Sequence, residues 1–415
     1  MEGIINKLTV SVCITSYNHA RYLPATLDSV LDQDFDNFEI VVVDDGSTDD
    51  SLALLTDYQG RYPDKVRCYW HPDHENKGIS ATFNLAAQKA KGTYLAWLGS
   101  DDLWLPDKLS KQVKFMFDQP DFGMVYSPAF ILDSTGRQYP MLTIGGEQFD
   151  DVWRRLLVSN FICASSALIR RTCLDDVGLL DETLVYSDWE LWIRIAAKYR
   201  IGIVPQPLVL YRIHGQNISV SSRPATRFER RLAVIESVFA KLPMDEQPLK
   251  DVALSDAYFE AGLDFFAVGQ PKEGHQHLAQ AVQLQAEQSS DQLVENVVSY
   301  VVYTLRTHNW DVPRCARFIQ EVFSVLAPKY KRKAVARLYA LEALLSHSCG
   351  LTSEVRCYFF PAIVRDPRWL QNGGMLSAGI EAFGGAKVAA FLRRLTRHLV
   401  KRFPKNNGEH PGPAD

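Results

Sequence analysis

Two apolar runs in this chain lead directly into paired aspartates. Ile40-Val41-Val42-Val43 precedes Asp44-Asp45-Gly46-Ser47, and Tyr94-Leu95-Ala96-Trp97-Leu98 precedes Gly99-Ser100-Asp101-Asp102. A short continuous apolar run reads as a strand buried on both faces, the kind that parallel sheets use. Adjacent carboxylates at its end are costly unless something uses their charge. In open α/β sheets, ligands bind at the carboxyl ends of the strands. Paired carboxylates there suit a hard divalent cation and the hydroxyls of a nucleotide sugar.

The flanking pattern fits such a sheet. Strands are expected over 8–14, 38–43, 66–70 and 93–98, with helices over about 23–33, 49–60 and 79–90 between them. Alternation at this spacing predicts a mostly parallel α/β sheet. Leu105-Pro106 opens a helix through about residue 118. A single strand is expected over 123–132, extended chain over 160–170, and a helix over about 187–199. Two short strands broken by Pro205 and Pro207 follow over 201–213. From about residue 224 strand signals stop and helical periodicity takes over. The reading divides the chain into 1–222, an all-α region 223–403 and a Pro/Gly/Asn-rich tail 404–415 expected to be disordered. Over 252–286 the small and apolar positions Ala257, Gly262, Phe265, Gly269, Ala279 and Ala281 suggest either a tetratricopeptide-like hairpin or a plain helical bundle.

Charge follows the same division. Residues 1–221 carry 20 basic against 29 acidic side chains, and residues 222–415 carry 25 against 20. Such asymmetry suggests separate jobs for the halves. The seven cysteines form no CxxC pair, so free thiols are expected rather than a disulfide framework or zinc site. No apolar stretch approaches the roughly 20 residues that span a bilayer. Met1 to Lys7 lacks an apolar core, so no signal peptide is expected. A cytoplasmic protein, soluble or peripheral to the inner face of a membrane, follows.

Six segments resemble glycosyltransferase family 2. They are Ser11-Val12-Cys13-Ile14-Thr15-Ser16-Tyr17-Asn18 with Tyr22-Leu23; Val43-Asp44-Asp45-Gly46-Ser47-Thr48-Asp49; Asn76-Lys77-Gly78; Gly99 to Pro106 with Lys108-Leu109; Ser187 to Trp192 with Arg194; and Tyr211-Arg212-Ile213-His214. The resemblance covers roughly 8–220. It implies the GT-A fold of nucleotide-diphospho-sugar transferases, followed here by an all-α domain. The implied activity is an inverting, metal-dependent transfer of a sugar from a nucleoside diphosphate sugar to an acceptor hydroxyl. The implied partners are that donor and a carbohydrate or lipid-linked acceptor, in bacterial surface polysaccharide or glycoconjugate synthesis, with no nucleic acid.

The resemblance also distributes roles. Thr15, Ser16, Tyr17 and Asn18 edge the nucleobase, with Tyr17 able to stack on it. Asp44 and Asp45 read the nucleoside, and Lys77 reaches the diphosphate. Asp101 lies on the ribose or sugar side, and Asp102 ligates Mg²⁺ or Mn²⁺ with His214 as a further ligand. Many relatives carry an acid where this chain has Gly99, which leaves the division of labour between the aspartates open. Asp188 is implied as the base that takes the acceptor proton, with Glu190 as the fallback. A carboxylate shielded by Trp189 would have a raised pKa, which suits a base near neutral pH. Trp97, Trp104 and Trp153 could line a sugar site or pack the core.

Two other readings stay beside this one. A nucleotidyltransferase calls for a Gly-rich loop after the first strand, whereas Ser16-Tyr17-Asn18-His19-Ala20 holds no glycine. A non-catalytic scaffold would use the helical domain to bind protein partners. The segment 387–403 carries apolar residues on one helical face and six basic residues elsewhere. Either it lies on an anionic membrane surface or it packs on the helical domain.

Overall fold

The computed structural model describes residues 10–141, 151–215, 217, 222–284, 290–302, 310–348, 350–383 and 392. The expected tail and, Leu392 apart, the basic segment 387–403 lie outside them. Packing divides the chain into two compact units, Met1–Ala261 and Gly262–Asp415.

The first unit is built on β1 (Val10–Ser16), β2 (Phe38–Asp44), β3 (Val66–Trp70), β4 (Tyr94–Gly99), β5 (Leu103–Trp104), β6 (Phe122–Tyr126), β7 (Ala129–Leu132), β8 (Gln138–Pro140), β9 (Leu168–Arg170), β10 (Arg200–Ile203) and β11 (Val209–Arg212). Seven strands form one sheet in the order β10-β6-β9-β4-β1-β2-β3. β1 pairs in parallel with both β2 and β4, and β2 with β3. β9 runs antiparallel between β4 and β6. This is the mostly parallel α/β sheet that the sequence predicts. A second sheet has the order β5-β11-β7-β8.

The strand expected over 123–132 is two strands in different sheets, β6 and β7. Ser127-Pro128 divides them. Pro128 has no N–H to give to a ladder, and its carbonyl instead accepts from Leu208 N at 3.2 Å, where the second sheet begins. The stretch 160–170 is extended only in part: Ala164–Ser166 is a 3₁₀ turn ahead of the three-residue β9.

Successive side chains of a strand point to opposite faces, and the apolar strands use both. Cys13, Val41, Val43, Leu95 and Trp97 meet Phe83 of the helix Ile79–Lys89 and Leu191 and Trp192 of the helix Ser187–Lys198. Val12, Ile14, Ile40, Val42, Ala96 and Leu98 meet Leu23 and Leu27 of the helix Leu23–Leu31 and Leu109 and Val113 of the helix Lys108–Asp118.

The boundary expected at 222/223 falls inside this packing. The helix Pro224–Phe239 puts Val234, Ile235, Val238 and Phe239 into the first core, and the helix Pro248–Ala267 adds Ala253 and Ala257. These residues are buried against the α/β unit, so the division comes at Ala261, within the second of these helices. Helical periodicity alone does not show which core a helix joins.

The second unit is helical throughout its described residues. It continues with helices Pro271–Leu284, Ser290–Tyr300, Val312–Leu326, Lys331–Ser348, Thr352–Arg365 and Gly373–Phe383. The helices Pro248–Ala267 and Pro271–Leu284 are joined by a short turn with Gly269 at φ +77°. A Cβ on Gly262 would come 2.7 Å from Leu278 Cγ, and one on Gly274 would collide with the Phe266 ring. Close approach is why both positions are glycine. No helix among the described residues is long and apolar enough to cross a membrane.

Candidate active site

Parallel register brings the loops together. Thr15 lies beside Gly99, and Ser16 beside Asp44. The chain therefore leaves β1, β2 and β4 at one sheet edge. Asn18 adopts φ 53°, a left-handed conformation that asparagine tolerates better than most residues. It binds the neighbouring loop twice: its N–H donates to Ser47 Oγ at 2.9 Å, and its Oδ1 accepts from Thr48 N at 2.7 Å. Tyr17 is 45% exposed and free to offer a ring face, whereas Thr15 and Ser16 are buried. Ser16 Oγ is buried without a hydrogen-bond partner.

The first acid pair builds this frame. Asp44 accepts from Ser47 N at 2.9 Å and from Ser47 Oγ at 2.6 Å. Asp45 accepts from Lys77 N at 2.7 Å and Gly78 N at 3.1 Å. Each carboxylate oxygen thus already holds one donor, and the pair ties together the loops that follow β2 and β3. Gly46, directly after the pair, has φ 76°, and a Cβ there would collide with the His74 carbonyl. Lys77 contributes its backbone; its ammonium pairs with Glu75 and is half exposed.

The two carboxylates of the second pair have different partners. Asp102 is 2% exposed. Its Oδ2 accepts from Ser165 Oγ at 2.5 Å and its Oδ1 from Arg212 N at 2.9 Å. Burial, then the neighbouring Asp101 charge, pushes its carboxyl well above the ordinary range. Asp102 therefore ties the end of β4 to β11 and the 164–166 turn, whereas the Asp101 carboxylate faces His214 and Asn217. Asp101 Oδ2 lies 2.9 Å from His214 Nε2 and accepts from Asn217 Nδ2 at 3.1 Å. His19, Asp101 and His214 each bring one ligand atom, all within 4.8 Å of one another. Two imidazole nitrogens and a carboxylate oxygen form a donor set that fits Mn²⁺ better than Mg²⁺, which favours oxygen. Burial lowers the His19 pKa toward the neutral form that can ligate. Tyr22 stacks on His214 at 4.6 Å, and the Arg212 guanidinium lies 5.0 Å from the Tyr22 centroid.

Gly99 has a local reason. A Cβ there would come 2.8 Å from Asp101 Oδ1 and 3.4 Å from Asp102 Oδ2. An acid at 99 would press its charge on a pair that is already crowded.

Asp188 occupies the first turn of the helix Ser187–Lys198. Ser80 Oγ holds that turn, 2.7 Å from Ser187 Oγ and donating to Leu184 O at 3.0 Å. Asn160 Nδ2 donates to Asp188 Oδ2 at 3.3 Å. Burial raises the Asp188 pKa, and the Trp189 and Asn160 bonds offset part of that rise. The Cys163 thiol lies near enough to both Asp102 and Asp188 for each charge to raise its pKa. Glu190, the fallback, is locked to Arg194 Nε at 2.8 and 2.9 Å. Trp97 stacks on Phe83 at 4.0 Å in the core. Trp104 is 3% exposed and donates Nε1–H to Ser165 O at 2.8 Å, so neither ring lines a sugar site.

Residues 11–178 match the family described as glycosyl transferase family 2. An uncharacterised glycosyltransferase of Nostoc sp. is 31% identical over 230 residues, 53% of this chain and 69% of that protein. The chain belongs to glycosyltransferase family 2. An uncharacterised protein of Mycobacterium tuberculosis is 31% identical to this glycosyltransferase over 221 residues, 50% of the chain and 60% of that protein. Among solved structures, S. aureus TarS 1–349 in complex with UDP-GlcNAc aligns with TM-score 0.50 at 16% identity, covering 88% of this chain and 92% of that one. That likeness supports the GT-A-like α/β fold followed by a helical region.

Four residues that contact or group with these acids in this glycosyltransferase are not among the sequence candidates: His19, Asn160, Ser165 and Asn217. His19 was legible in principle, as a histidine directly after the Thr15–Asn18 block. Asn160 and Ser165 come from a stretch without regular periodicity, and only the fold brings them to the acids.

Proposed function

We propose that this family 2 glycosyltransferase moves a sugar from a nucleoside diphosphate donor to an acceptor hydroxyl in one inverting displacement. The observation that carries the reading is the grouping of His19, Asp101 and His214 at the edge where the Thr15–Asn18 and Asp44–Asp45 loops emerge. Thr15, Ser16, Tyr17, Asn18, Asp44 and Asp45 frame the nucleoside, with Tyr17 offering its exposed ring. His19, Asp101 and His214 hold the divalent cation. When bound there, the cation supplies positive charge toward the departing diphosphate. Asp188 takes the proton from the acceptor hydroxyl, and Asn160 keeps its carboxylate oriented. UDP-GlcNAc, the ligand named for the S. aureus structure, is the first donor to try. A carbohydrate or lipid-linked acceptor of surface polysaccharide synthesis, on the cytoplasmic side of the membrane, suits this chemistry. The segment 387–403 is the candidate membrane contact. The hairpin packed through Gly262 and Gly274 supports a tetratricopeptide-like, partner-binding helical unit.

The test is a thermal-shift screen of UDP-, GDP- and dTDP-sugars with Mn²⁺ or Mg²⁺. A ligand at about a hundred times its Kd adds about 2.7 kcal/mol to apparent stability. The expected result is a donor-dependent rise in Tm that is larger with Mn²⁺ and absent from His19→Ala. A native Tm with every sugar nucleotide and either cation would favour the scaffold reading instead.

A further inference from the structure

The helices that follow the strand region carry a buried polar chain that ends on Asp188. Arg231, on the helix Pro224–Phe239, has a side chain 13% exposed and pairs with Asp256, 17% exposed, at 2.5 Å. It also pairs with Glu260. Its Nη2 donates to Ser159 Oγ at 3.3 Å, and the Ser159 hydroxyl bonds the Asp256 carboxylate as well. Ser159 ends the helix Val152–Val158 and directly precedes Asn160. Asn160 has no freedom to turn its amide: its Oδ1 accepts from Ile162 N at 3.1 Å, which leaves Nδ2 for Asp188.

The same guanidinium approaches Asp188 by a second route. It lies 5.5 Å from the centroid of the Trp189 ring. Trp189 is 2% exposed, and its indole N–H donates to Leu156 O at 2.6 Å. Both residues that flank the carboxylate, Asn160 in space and Trp189 in sequence, are therefore held by Arg231 or by the segment it anchors.

We propose that Arg231 and Asp256 are positioning residues for the base Asp188, so that the helices after residue 223 form part of the catalytic unit. The pair fixes the Ser159–Asn160 corner and the Trp189 ring together. It touches neither donor loops nor the His19–Asp101–His214 group. Loosening it moves the carboxylate and leaves the donor site intact. A displacement of about 1 Å at a reacting group can cost about a hundredfold in rate. The proposal rests on the base role given to Asp188 above.

Removing one charge strands the other in a buried place, so the informative variant is the double Arg231→Met/Asp256→Leu, which removes both. Arg231→Lys is made beside it; it keeps the charge and loses the fork that spans Ser159 and Asp256. Two readouts are taken. One is the titration of the Asp188 carboxyl by ¹³C NMR of labelled aspartate, with Asp188→Asn identifying the signal. The other is release of UDP from UDP-GlcNAc with Mn²⁺ and water as acceptor. In the double variant the expected results are a native Tm within a few degrees, unchanged UDP affinity, a displaced Asp188 titration and a kcat lower by about tenfold or more. Arg231→Lys is expected to shift both readouts in the same direction by less. A native Asp188 titration in both variants overturns the proposal. Native UDP release in Asp188→Asn overturns the base role and the proposal together. Loss in Asp188→Asn with native behaviour in the other two variants overturns the positioning role alone.

Discussion

Asp101→Ala is expected to abolish the Mn²⁺ response and to lower kcat by about 10²–10³-fold, the scale of losing one charge-stabilising group at a developing anion. Asp101 is the one carboxylate in the His19–Asp101–His214 group. Its removal leaves two imidazoles, which alone do not balance a dication. His214 and Asn217 would also lose the oxygen that orients them. Asp102→Asn is expected to behave differently. It disturbs the bonds from Ser165 and Arg212 and so lowers Tm, since a buried group left unpaired costs about 1–3 kcal/mol. Calorimetric titration of Mn²⁺ in the presence of UDP, beside thermal melts of both variants, separates the two. Native Mn²⁺ affinity in Asp101→Ala with lost affinity in a folded Asp102→Asn would restore Asp102 as the direct ligand.

Asp188→Asn is expected to lower kcat by about 10²–10⁴-fold, the usual worth of a positioned general base, with donor affinity unchanged. The sign of the pH dependence follows from its burial. The base works deprotonated, and burial raises its pKa. With Asp188 as the proposed base, native kcat is therefore expected to fall as pH drops through that raised value, above the ordinary carboxylate midpoint of about 3.9. In Asp188→Asn this acid limb is expected to disappear. A limb of native position and height in the variant would assign the proton transfer to another group.

The regular elements were legible because their patterns are local. The apolar run Ile40–Val43 and the amphipathic stripe of Leu191, Trp192 and Ile195 each state their element within a few residues. What could not be read is what depends on partners far along the chain. Pro128 reads as an interruption in one strand until Leu208 pairs beyond it. Asp101 and Asp102 are the same residue side by side. Their separate orientations are decided by Ser165 and Arg212, 63 and 110 residues from Asp102. Asp44 and Asp45 sit at the sheet edge as expected, but three of the four hydrogen bonds they accept come from the backbone N–H groups of Ser47, Lys77 and Gly78, which no side-chain pattern records. The packing division at Ala261 is hard to read for the same reason: an amphipathic helix shows that it has an apolar face, not which core receives it.

That boundary has a practical meaning for anyone who recombines these enzymes. The recognisable family segment ends at residue 178, whereas the packed unit closes only at Ala261. A chimera joined at residue 222 would carry all the motif residues yet part them from Val234, Ile235, Val238 and Phe239, which fill their shared core. The transplantable piece of this transferase is larger than its signature, and specificity exchanged between relatives has to travel with the helices that bear no signature at all.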